Sequence, residues 1–149
     1  MPDSLAGIVL AAGGGTRLLP LTRVRPKALC PVGEVPLVDR SLELLSGVLG
    51  RASPDQVAVN LHHGRAPLED HLAGRVHLSP EETLLGTAGA VGRLRIWVSG
   101  RDAVVLNADH VSGVDLAAAV DTWDRQRVRL VVAGSASDLD PALRLCAAL

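Results

Sequence analysis

Three consecutive glycines, Gly13, Gly14 and Gly15, follow an apolar run and lead directly into Thr16-Arg17, with Lys27 further along the same loop. Glycine lets a backbone take positive φ and approach a ligand with no Cβ in between, and a row of N–H groups there can cradle a phosphate. Arg17 offers phosphate oxygens a planar fork, and Lys27 offers a compact charge. Pro20 and Pro26 stiffen the chain between and around these cations. That lowers the cost of ordering a site for a polyanion. The spacing is not that of other phosphate loops. Gly13 to Arg17 lacks the Gly-Lys-Ser/Thr ending of a P-loop, and a dinucleotide fingerprint needs glycine where Leu18 stands. Taken singly, the glycines read equally well as a tight turn, and Arg17 or Lys27 as a solvated cation. Arg23 and Arg25 are assigned to the surface.

Three carboxylates stand out further along. Asp109 follows the apolar run Ala103-Val104-Val105-Leu106-Asn107. An oxygen ligand there suits Mg²⁺, which takes one or two carboxylates plus substrate phosphates. A lone Asp after a strand also serves as a cap for the next turn. Glu81 and Glu82 precede Leu85-Gly86-Thr87, and without that context they are two solvated loop carboxylates. His62 and His63 are assigned to a pocket wall without metal, and His71 and His77 to surface or packing. Cys30 reads as a small buried thiol. With Cys146 it makes neither a disulfide scaffold nor zinc spacing.

These residues need a frame. Gly7–Ala11, Gln56–Leu61, Arg75–Leu78, Ala103–Asn107 and Arg129–Ala133 read as strands. Pro36–Leu49, Pro67–Leu72, Thr87–Ile96 and Val114–Arg125 read as helices. The alternation means βαβ crossovers and a mostly parallel sheet, whose ligands bind outside the carboxyl ends of the strands. The glycine turn, the Asn60-Leu61-His62-His63 turn and Asn107-Ala108-Asp109 all fall at that edge.

Composition narrows the classes. The chain has 149 residues, 48% hydrophobic, net charge −1, with two Trp and neither Phe nor Tyr. That supports one domain with an aliphatic core. It gives no overall pull toward nucleic acid or membrane and few rings on which bases could stack. No basic leader or long apolar run is evident, so a cytoplasmic location is expected.

The stretch LAAGGGTRLLPLTRVRPKALCPVGEVPLV resembles the N-terminal signature of the sugar-1-phosphate nucleotidyltransferases, also called nucleotide-sugar pyrophosphorylases. Every fixed position of that family's pattern is matched. The likeness continues more loosely through Asn60 to His63, Glu81 to Gly89 and Asn107 to Asp109, and fades after Ala133. The resemblance implies an α/β, three-layer sandwich with a mostly parallel sheet, a Rossmann-like nucleotide-diphospho-sugar transferase fold. It implies a reaction in which a nucleoside triphosphate and a sugar 1-phosphate give a nucleoside diphosphate sugar and pyrophosphate. Arg17 and Lys27 would act at the phosphates. Leu10, Ala11, Ala12, Gly13, Gly14, Gly15, Thr16, Glu81, Gly86 and Thr87 would bind the nucleotide, and Asp109 would hold Mg²⁺. In similar members the residue at the position of Glu81 contacts the nucleobase edge. A carboxylate there suits the N1–H and N2–H₂ of guanine. Some uridylyltransferases acting on N-acetylmuramate 1-phosphate also carry Glu nearby, so guanine leads and uracil stays open.

The family's domain is longer than this chain, and its later part supplies most of the sugar pocket and a second metal-binding aspartate. The expected organisation is a nucleotide-binding core over 1–134, truncated relative to the family, and a tail over 135–149 without a family match. Asp138 and Asp140 are not assigned to metal. A catalytically incomplete nucleotide-binding module is therefore the competing expectation. An unpaired sheet edge at Arg129–Ala133 would invite self-association.

Overall fold

In the computed structural model, residues 5–109 and 111–131 are described. Their strands are β1 (Leu5–Leu10), β2 (Pro31–Val32), β3 (Val35–Pro36), β4 (Val57–Leu61), β5 (His77–Pro80) and β6 (Asp102–Asn107). The helices are α1 (Leu37–Leu49), α2 (Arg65–Leu72), α3 (Gly86–Arg93), α4 (Arg95–Val98) and α5 (Leu116–Asp121). The chain divides between Ser112 and Gly113 into two compact units. The first holds the sheets and α1–α4, the second α5.

The main sheet has the order β5-β4-β1-β6, and every pairing in it is parallel. β2 and β3 form a separate antiparallel pair. β1 lies inside the sheet, with Gly7 level with Val57 on one side and Val104 on the other. Successive strand residues face opposite sides of a sheet, and here both sides are covered. A Cβ on Gly7 would come 2.8 Å from Leu45 Cδ1 and 3.2 Å from Leu49 Cδ1, so α1 packs directly on that face. Ile8, on the other face, is fully buried in a cluster with Ala58 and Leu94, flanked by Val91, Trp97 and Val98. Helix α1 and the α3–α4 pair therefore sandwich the sheet, the expected three layers. The bare Cα of Gly7 lets α1 approach; the branched Ile8, Val57 and Val59 fill the opposite and neighbouring positions.

Four of the five expected strands are present within a few residues of the expected bounds. Of the fifth, expected over Arg129–Ala133, only Arg129, Leu130 and Val131 are described, and these form no strand. Arg129 instead donates to the carbonyls of Ala119 (3.0 Å) and Thr122 (2.7 Å) at the end of α5, which holds this segment to its own helix. β6 is thus the outer strand on that side among the described residues. The helix expected over Thr87–Ile96 is two helices. Leu94, with φ −81° and ψ 0°, breaks it while burying its side chain in the core. The helix expected over Val114–Arg125 is confined to α5. Asp115 caps it by accepting from the Ala118 N–H at 2.9 Å, and Thr122 turns its hydroxyl back onto the Ala118 carbonyl. Ala133, Asp138, Asp140 and the expected boundary after residue 134 lie outside the described residues. No helix among the described residues is long and apolar enough to cross a membrane.

Candidate functional site

The carboxyl ends of β1, β4 and β6 open onto a cavity of about 330 Å³ in the first unit. It is lined by residues 10–13, 15–18, Lys27, Ala28, Asn60, Leu84, Gly86, Thr87 and 107–109. Ligand sites on open parallel sheets fall at this edge because the chain leaves the sheet there and exposes unpaired backbone groups.

The loop after β1 is anchored at its start. The Ala108 N–H donates to the Leu10 carbonyl at 3.0 Å, tying β1 to the end of β6. The Ala11 N–H donates to Asn60 Oδ1 at 2.7 Å, and the His63 N–H reaches the Ala12 carbonyl at 3.5 Å. Beyond that the chain runs through three 3₁₀ turns, Thr16–Leu18, Leu21–Arg23 and Lys27–Leu29. Gly15 makes their compact arrangement possible. Its φ is +59°, and a Cβ there would lie 2.8 Å from Thr22 Cγ2 and 3.0 Å from Lys27 Cβ. The Thr22 hydroxyl closes the loop by donating to the Gly15 carbonyl at 3.0 Å. The glycine turn therefore sets where Lys27 stands.

Lys27 Nζ lies 3.0 Å from Asp109 Oδ2, with the side chains 30% and 54% exposed. A pair this open to solvent adds little to stability. Its value is chemical: a cation and a carboxylate from distant parts of the chain face each other in one cavity. The ammonium on Asp109 marks a position where a positive charge is accommodated. A single carboxylate with phosphate oxygens is a donor set that suits Mg²⁺, so the residues present fit that ion. Among the described residues no group of three or more His, Cys, Asp or Glu is gathered for a metal.

Arg65 opens α2, outside the cavity lining. Its guanidinium bonds Glu69 and lies 3.6 Å from Glu82, tying the segment after β5 to that helix. The hydrogen bond to Glu69 raises the Arg65 pKa, so this group stays charged throughout the ordinary pH range.

Of the residues singled out in the sequence, Leu10, Ala11, Ala12, Gly13, Gly15, Thr16, Arg17, Lys27, Gly86, Thr87 and Asp109 line one cavity. Gly14 and Glu81 are not in its lining. Glu81 is 3% exposed. Its Oε1 accepts from Asn60 Nδ2 at 2.9 Å and its Oε2 from the Leu85 N–H at 3.1 Å. The expectation that it meets a nucleobase thus encounters a carboxylate turned into the protein. His62 packs beside it, with Nδ1 2.9 Å from the Glu81 carbonyl. Sequence reasoning gave no binding role to Leu18, Ala28, Asn60, Leu84, Asn107 and Ala108, although it placed Asn60, Asn107 and Ala108 at the ligand edge. Asn60 carried the further signal of a polar side chain at the end of a strand buried on both faces.

The matches to known proteins fall on this same frame. The family model described as Nucleotidyl transferase matches residues 6–142. The chain belongs to the nucleotidyl transferase family. It is 34% identical over 134 residues to the N-acetylmuramate alpha-1-phosphate uridylyltransferase of Caulobacter vibrioides, covering 81% of this chain and 54% of that protein. A crystal structure from Bacillus anthracis, solved with sucrose and assigned as a glucose-1-phosphate thymidylyltransferase, superposes with a TM-score of 0.69 at 23% identity. That match covers 78% of this chain and 49% of the other. HddC of Yersinia pseudotuberculosis, complexed with GMP-PN, superposes with a TM-score of 0.64 at 22% identity, covering 78% of this chain and 52% of the other. The two structures share the α/β nucleotidyl transferase fold with this chain. The chain spans about half the length of these relatives.

Proposed function

We propose that the cavity binds a nucleoside triphosphate, and that the chain transfers a nucleoside monophosphate from UTP or GTP to a sugar 1-phosphate. The observation that carries this reading is the convergence of a glycine turn, Arg17, Lys27 and Asp109 on one cavity at the carboxyl edge of a parallel sheet. The nucleoside would sit between residues 10–13 and 84–87, with the phosphates toward Arg17 and Lys27.

A phosphate oxygen of the sugar 1-phosphate attacks the α-phosphorus in line. One new P–O bond forms, the bond to the β-phosphate breaks, and pyrophosphate leaves with the electron pair. No protein nucleophile is needed; positioning and charge neutralisation supply the acceleration. Arg17 and Lys27 neutralise the triphosphate and the departing pyrophosphate. The carboxylate of Asp109 would hold Mg²⁺, whose chemistry when bound is charge neutralisation at phosphate oxygens. Lys27 then exchanges its bond to Asp109 for one to phosphate. Between the two bases, the Caulobacter relative supports uracil. The carboxylate on which a guanine reading depended is buried behind the wall.

The test is pyrophosphate release from Mg²⁺ with UTP or GTP and a panel of sugar 1-phosphates. Release with at least one pair is expected. Saturable nucleotide binding with no release from any pair would make this chain a nucleotide-binding module instead.

A further inference from the structure

Two walls of the cavity meet through a buried relay. The Ala11 N–H donates to Asn60 Oδ1 at 2.7 Å, and Asn60 Nδ2 donates to Glu81 Oε1 at 2.9 Å. The Leu85 N–H donates to Glu81 Oε2 at 3.1 Å. Asn60 and Glu81 are 4% and 3% exposed. The main chain of Glu81 is held as well, its N–H donating to the Leu61 carbonyl at 2.7 Å.

Hydrogen-bond direction along this relay is forced. A backbone N–H can only donate, so Asn60 must turn its oxygen to Ala11 and its NH₂ to residue 81. The Leu85 N–H also can only donate. Residue 81 therefore faces two donors and must accept twice. A carboxylate does so. A glutamine has one oxygen and one NH₂, so one of its ends would set donor against donor. Flipping Asn60 to compensate would set its NH₂ against the Ala11 N–H. A buried donor left without an acceptor is costly, so the relay works with a carboxylate at 81 and an amide at 60.

We propose that Glu81 is a positioning residue and does not contact the base. With Asn60 it ties the start of the glycine loop to the N-terminal end of α3, and so sets the gap between Ala11 and residues 85–87. This inference rests on the triphosphate reading of the cavity for its functional consequence, but the tie itself is a property of the protein without nucleotide. The carboxylate is required at position 81 for its two acceptor oxygens, not for recognition of one base. Losing it loosens both walls and weakens every nucleotide alike.

A charge-conserving exchange tests this. In the double variant Asn60→Asp/Glu81→Gln, the carboxylate moves to position 60 and the amide to position 81. One oxygen of the new carboxylate would accept from the Ala11 N–H, and its other oxygen from the NH₂ of the new amide. The oxygen of that amide would accept from the Leu85 N–H. All bonds are restored with the carboxylate moved by one place. The single changes each leave a mismatch: donor against donor in Glu81→Gln, carboxylate against carboxylate in Asn60→Asp. Each single variant is expected to weaken UTP and GTP binding by about tenfold or more, in the same ratio. The double variant should return to within about threefold of the parent, since its full set of bonds is restored. Amide hydrogen exchange at Ala11 and Leu85, measured without nucleotide, should speed up in the singles and slow again in the double. A double variant as weak and as fast-exchanging as Glu81→Gln overturns the proposal, and that comparison holds even where a single variant folds poorly. So does a Glu81→Gln protein with a changed UTP-to-GTP ratio and unchanged exchange at both amides. If the parent binds neither nucleotide, the triphosphate reading falls, and the exchange data still decide the tie.

Discussion

Lys27 and Asp109 neutralise each other across the cavity, and each is placed by something local. Lys27 follows from the positive φ of Gly15 and the Thr22 hydroxyl that closes the loop; Asp109 follows from the end of β6. Gly15→Ala would strain the backbone and push against Thr22 and Lys27. The expected result is a triphosphate affinity about tenfold lower with little change in sheet content, measured by titration and circular dichroism. Asp109→Asn should raise metal-free triphosphate affinity, because it releases Lys27 and removes a negative charge, while abolishing the gain that Mg²⁺ gives the parent. Equal affinity with and without Mg²⁺ in both proteins would remove Asp109 from metal binding. At this scale the place of the cations and Asp109 at the ligand edge was legible in the sequence, from the strand pattern and the spacing of glycine and proline, whereas their roles at phosphate and metal came from the family signature. Glu81 was only half legible. Its place before Leu85-Gly86-Thr87 can be read from the chain, but the direction of its side chain depends on Asn60, a residue from another strand.

At the scale of elements, the parallel sheet owes its legibility to continuous apolar runs. Val57, Ala58, Val59 and Leu61 are fully buried, which is what strands covered on both faces require. The close seating of α1 on β1 gives a stability prediction. Gly7→Val would drive its side chain into Leu45 and Leu49 and should cost about 1–3 kcal/mol in a denaturant melt. A melt unchanged within error would mean that α1 does not pack directly on Gly7. The elements that misled were those settled by side-chain partners. Leu94 sits inside a helical pattern yet breaks it to reach Ile8. Arg129 to Val131 has the composition of a strand, but Arg129 finds its partners at the end of α5.

The whole molecule is a nucleotidyl transferase chain about half the length of its relatives, with the complete cavity lining inside its first unit. β6 is the outer strand among the described residues, with Val105 39% exposed. An outer strand presents unpaired backbone groups to other chains. We therefore propose self-association, with an average mass by light scattering that rises with protein concentration; a constant monomer mass contradicts it. The cavity between the glycine turn and Asp109 is proposed to hold a nucleoside triphosphate. Calorimetric titration of UTP with Mg²⁺ into the parent and Lys27→Ala proteins tests it most directly. Saturable one-to-one binding is expected, weakened about tenfold in Lys27→Ala by the loss of one charge-assisted phosphate contact. No binding to the parent, or equal affinity in the two proteins, would contradict it.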